Sequence, residues 1–188
     1  MPDEVSRDLV DGALELADAA RQANIRYALI GGLATGYRTR SRFTRDMDFL
    51  LHVPQLALPS FLEELARREF KFDPLTAIRE WTQQHMTVLT YRGARVDWLK
   101  PVIALYAHVL ERATDERWLG RPIRIATAEG LILTKLLAGR TQDWVDIENL
   151  VAAHRHQLDL DWIRSEWSAI ESLDDPRMAR LMELVGKS

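Results

Sequence analysis

The residues best suited to chemistry lie in "YALIGGLATGYRTRSRFTRDMDFLLHV", Tyr27 to Val53, where a run of arginines is followed at once by Asp46 and Asp48 among apolar residues. In an extended strand successive side chains point to opposite faces, so the two acids share one face, about 7 Å apart, and Met47 and Phe49 face the other layer. Adjacent carboxylates repel, and keeping both ionised on a sheet face is unfavourable without a cation beside them. A hard divalent ion, magnesium or manganese in its place, meets that need, since it takes oxygen ligands, commonly one or two carboxylates plus substrate phosphates. In "ARVDWLK", Asp97 alternates with Val96 and Trp98 and brings a third acid on a neighbouring strand. Three such acids would hold two ions.

The preceding residues fit the same chemistry. Gly31 and Gly32 end the first strand, where missing side chains let backbone amides approach a phosphate. Arg38, Arg40, Arg42 and Arg45 follow in the connecting segment, and guanidinium groups suit bidentate phosphate contacts. The set calls for a nucleoside triphosphate with magnesium.

These residues must be positioned by a folded core. With 188 residues, 47% of them hydrophobic, the chain is long enough to bury one. It has no cysteine, which excludes a disulfide scaffold and thiolate chemistry, and a formal net charge of -3 argues against indiscriminate coating of nucleic acid. The start of the chain lacks the pattern of a secretory signal and no run reaches membrane-spanning length, so a soluble, cytoplasmic protein with no membrane partner is expected. "GGLATG" lacks the dinucleotide-binding glycine order, and no Gly-Lys-Ser/Thr phosphate loop occurs.

The elements alternate in class. Val5, Leu9, Val10, Ala13, Leu16, Ala17 and Ala20 predict an amphipathic helix over roughly the first twenty residues. "IRYALIGG" and "DMDFLLHV" read as strands, Pro59 opens a helix through "SFLEELARREF", and "MTVLTYRGARVDWLK" reads as a hairpin turning at Gly93. From "VIALYAHVLERA" onward the pattern is helical, through "TAEGLILTKLLAGR", "TQDWVDIENLVAAHRH" and "DLDWIRSEWSAIESL", interrupted by the short extended piece "RPIRIAT". The class of structure changes near residue 105 with no linker there.

The string resembles the polymerase-beta-like nucleotidyltransferases: Ile30, Gly31 and Gly32, a gap of 13 residues, then Asp46 and Asp48 in apolar surroundings. The run Arg42, Thr44, Asp46, Asp48 resembles the AbiEii-type or minimal nucleotidyltransferase toxin branch. So does a helical Lys135 followed by Arg140, Asp143 and Asp146. The resemblance spans about residues 27 to 150. It implies an α/β (α+β) fold, a mixed sheet flanked by helices, with residues 1–105 as catalytic core and 106–188 as a mainly helical region packed on it. It implies magnesium or manganese held by Asp46, Asp48 and Asp97, a catalytic set completed by Lys135 and Asp143, and a nucleotide held by Gly31, Gly32, Arg38, Arg42, Thr44 and Arg45. The implied activity is transfer of a nucleoside monophosphate from a triphosphate to an acceptor hydroxyl on RNA, tRNA or protein, as a toxin with a cognate antitoxin or in phage defence. Modification of a small-molecule antibiotic shares the same metal site, and a non-catalytic nucleotide- or partner-binding member of the fold is the third reading.

Plain structural readings stand beside these. Lys135 in an apolar helix would snorkel outward, and Asp143 near a helix start would merely favour the helix dipole. Four arginines in a connection would form a solvated surface. His154 and His156 cannot share a helix face, which leaves no metal pair there, and Trp144, Trp162 and Trp167 read as core.

Overall fold

A computed structural model describes residues 7–39 and 44–187. Helix α1, Arg7–Gln22, buries Leu9, Ala13, Leu16, Ala17 and Ala20 at the predicted spacing. It lies on the sheet so closely that a β-carbon on Gly12 would sit 2.7 Å from the Tyr91 ring. Strand β1, Arg26–Ile30, and β2, Asp46–His52, pair antiparallel.

Between them the structure departs from the sequence reading, which put a turn and an arginine-bearing connection after the glycines. Helix α2, Gly31–Thr39, starts at the glycines themselves. Gly31 adopts φ +66°, which turns the chain sharply out of β1, and Leu33, Ala34 and Thr35 then bury.

Helix α3, Leu58–Arg67, carries its proline in the first turn, as expected. The short β3, Phe70–Lys71, and helix α4, Pro74–Gln83, capped by Asp73, lead into the hairpin of β4, Met86–Tyr91, and β5, Ala94–Leu99. Helix α5, Ala104–Arg112, follows, then a second hairpin of β6, Thr114–Trp118, and β7, Arg121–Ile125, where one extended piece was expected. The chain closes with α6, Ala128–Ala138, α7, Asp143–His154, α8, Leu160–Ser168, and α9, Pro176–Lys187.

The strands form one mixed sheet in the order β3-β4-β5-β2-β1-β7-β6. β2 is central: antiparallel to β1 and parallel to β5. On the back of the sheet Met47, Phe49, Val96 and Trp98 are wholly buried. Trp98 stacks on Phe61 at 5.5 Å and meets Trp81 edge-on at 5.9 Å. On the other side α6 buries most of its circumference among α2, α5, α7 and α8. Of the three tryptophans read as core, Trp167 is fully buried, whereas Trp144 and Trp162 lie half-buried under Arg180 and Arg112. Among the described residues no helix is long and apolar enough to cross a membrane.

Candidate active site

The pleat of β2 sends Asp46 and Asp48 to the face opposite Met47 and Phe49. Register brings the third acid alongside: Asp48 is the direct partner of Asp97 on β5, and Asp46 of Arg95. On the other flank Asp48 faces Ile30, the last residue of β1. The three acids thus converge on one patch of sheet.

That patch floors a cavity of about 620 Å³. Gly31 and Gly32 at the start of α2 form one wall, Lys135, Arg140 and Asp143 another, and Met86, Leu99 and Tyr106 an apolar third. Burial, then Asp97, then Asp46 push the Asp48 carboxyl up to about 6, against the opposing pull of Lys135 and Arg140. The patch carries more negative charge than its own cations neutralise. Its donors are all carboxylate oxygens, the chemistry a hard divalent cation accepts. Asp97, however, is turned onto Arg95, whose Nη2 donates to it at 2.7 Å. Among the described residues no three carboxylate or imidazole side chains encircle a point as a ready-made cage.

Lys135 does not snorkel. Its side chain is only 6% exposed, with Nζ 2.5 Å from Asp146 and 3.5 Å from Asp143. Arg140 Nε donates to the second oxygen of Asp143 at 2.8 Å. Asp143 is therefore no mere helix-start charge: it bridges two cations at the cavity wall. The buried Lys135 thus meets two buried acids, and the exposed Arg140 supplies the second positive charge that balances them.

The nucleotide-contact residues expected from sequence separate into groups. Gly31, Gly32 and Thr44 line the cavity, and the Thr44 hydroxyl donates to the Asp46 carbonyl at 3.3 Å. Arg38 does not join them. It donates to Glu116 at 2.7 Å and to the Ala126 carbonyl at 3.0 Å, which ties α2 to the β6–β7 hairpin. Its distance from the acids follows from α2, which carries it away on a helix where a loop was expected. Arg45 is exposed just before β2, and Arg42, with Arg40, lies outside the described residues.

Several residues that line or back the cavity had no role assigned from sequence. Arg95 had a readable signal, since it stands two residues from Asp97 and so on the same strand face. Asp146 and Arg140 fell within a recognised run, but only the structure pairs them with Lys135 and Asp143. Tyr106 left no signal: in sequence it is one apolar residue of α5.

The sequence matches no protein-family model and no curated protein. Solved structures do match in shape. An antigenic nucleotidyltransferase-like protein from Paracoccidioides brasiliensis superposes with a TM-score of 0.55 at 15% identity, over 97% of this chain and 94% of that one. The antibiotic-resistance factor ANT(2'')-Ia superposes with a TM-score of 0.54 at 15% identity, over 94% and 97%. The lincomycin-bound lincosamide antibiotic adenylyltransferase LnuA gives 0.54 at 17% identity, over 79% of this chain and 98% of its own. The chain has the nucleotidyltransferase fold.

Proposed function

We propose that this protein is a divalent-cation-dependent nucleotidyltransferase. The observation that carries the reading is the register pair Asp48–Asp97, with Asp46 on the same face, at the floor of a cavity edged by the first residues of α2. Asp46, Asp48 and Asp97 would hold magnesium or manganese, which when bound neutralises triphosphate charge. The opening amides of α2, at Gly31 and Gly32, suit the phosphates. Asp97 orients the acceptor hydroxyl and takes its proton as the oxygen attacks the α-phosphorus; the bond to the bridging oxygen breaks and pyrophosphate leaves. Arg140, held on Asp143, presents a guanidinium at the cavity wall, and Lys135 is held in place by Asp143 and Asp146. Catalysis is then alignment and charge neutralisation.

Two acceptor classes have specific support. The Arg42-Thr44-Asp46-Asp48 run and the Lys135 to Asp146 run resemble the AbiEii-type toxin branch, which favours an RNA, tRNA or protein acceptor and a cognate antitoxin. The likeness to ANT(2'')-Ia and to LnuA over most of their lengths favours a small-molecule antibiotic acceptor.

The test is label transfer from each triphosphate, with magnesium, to total RNA, lysate protein, an aminoglycoside and a lincosamide. Asp46→Ala and Asp97→Asn should each abolish transfer while the far-ultraviolet circular dichroism is unchanged. Transfer that persists in Asp46→Ala would refute the assignment, and the acceptor that takes label decides between the two classes.

A further inference from the structure

Arg95 lies on β5 opposite Asp46 and on the same face as Asp97. Its guanidinium forks onto both oxygens of Asp97: Nε donates at 3.0 and 2.8 Å and Nη2 at 2.7 Å. The two partners differ in exposure. Arg95 is 52% exposed and Asp97 only 14%, so the base can leave for solvent and the acid cannot. Arg95 is held more firmly protonated than usual by its hydrogen bond to Asp97, then by the Asp97 charge, with Asp46 and Asp48 adding to it.

A divalent cation and a guanidinium compete for the same carboxylate lone pairs. We infer that Arg95 is a positioning residue for Asp97, a built-in counter-ion that occupies the third carboxylate and must release an oxygen before Asp97 ligates a cation or faces an acceptor. The fork explains why three acids on one face do not form a ready cage: one is already engaged. It also limits repulsion in the cation-free protein, where Lys135 and Arg140 oppose the acidic neighbours of Asp48. The inference rests on the metal reading above.

The experiment measures Mn2+ binding at neutral pH, from the electron paramagnetic resonance signal of free Mn2+, for wild type, R95Q, R95K and D48N. Arg95→Gln should bind Mn2+ on the order of tenfold tighter, the worth of a lost charge-assisted hydrogen bond. Arg95→Lys keeps the charge and loses the fork, so it should fall between wild type and R95Q. If R95K matches wild type, the effect is general electrostatics and the counter-ion role is overturned. If R95Q binds no more tightly than wild type while D48N loses binding, the role is overturned and the metal site stands. Absence of Mn2+ binding in wild type and R95Q alike would overturn both. Circular dichroism melts verify that the variants fold.

Discussion

The carboxylate of Asp48 occupies the space that a side chain on Gly31 would need: a β-carbon there would lie 1.9 Å from Oδ2 and 2.5 Å from Cγ. Gly31 also holds φ +66°, a conformation most side chains resist. Gly31→Ala is therefore expected to push Asp48 out of register with Asp97. Strain of about 1–2 kcal/mol in the backbone should show in urea denaturation. Nucleotidyl transfer should fall by about a hundredfold or more, well beyond what that stability loss explains. Comparable activity in the variant would show that Asp48 has freedom to move.

Asp48 makes the cation-free protein sensitive to pH. Its folded pKa of about 6 lies above the ordinary aspartate value of 3.8, so the folded state holds this proton more tightly than the unfolded chain. The group's contribution to stability is complete below the unfolded pKa and is lost as pH rises through the folded one. Between about pH 4 and pH 7 the wild type should lose on the order of 2 kcal/mol from this residue, after allowance for solvent at a half-buried group. Asp48→Asn should flatten that slope and be the more stable protein at pH 7, as read by denaturation across pH. Saturating magnesium should flatten it in the wild type too.

Lys135 is locked to two buried acids, Asp146 at 1% and Asp143 at 3% side-chain exposure. Lys135→Met leaves Asp146 charged and short of its partner, at an expected cost of about 3–5 kcal/mol. The double substitution Lys135→Met, Asp146→Leu should recover most of that stability and none of the activity. Calorimetry alongside label transfer checks both halves. Recovered activity would show that the lysine only supports the fold.

Arg38 gives the opposite expectation. Its hydrogen bonds to Glu116, Thr114 and the Ala126 and Ile125 carbonyls clamp α2 onto the second hairpin. Arg38→Ala should cost about 2–3 kcal/mol in chemical denaturation, given the carbonyls and acid left without their donor. Affinity for a fluorescent triphosphate analogue should be unchanged. A tenfold loss of that affinity would place Arg38 among the phosphate contacts after all.

What the sequence disclosed follows the range of the forces involved. The alternation in "DMDFLL" and "VDWL" is local, so the shared face of Asp46 and Asp48 was readable from strand geometry alone, whereas the β2–β5 register that sets Asp97 beside Asp48 is long-range. The helix start at Gly31 was hidden because two glycines usually punctuate, and the Asp48 carboxylate that leaves no room for a side chain there comes from another strand. β6, "TDERW", is an edge strand with polar residues on both faces, so no alternation betrays it. The partners of Arg38 and Lys135 could not be read from neighbours in sequence. Their partners lie 78 and 11 residues away, and only the folded chain selects them.

β2 has solvent chemistry on one side and the centre of the hydrophobic interior on the other, since Asp46 and Asp48 alternate with the fully buried Met47 and Phe49. Heat cannot loosen the carboxylate pair without first pulling that strand out of the middle of the sheet. Thermal inactivation should accordingly coincide with cooperative melting, with no earlier phase in which an intact domain has lost its reactive centre.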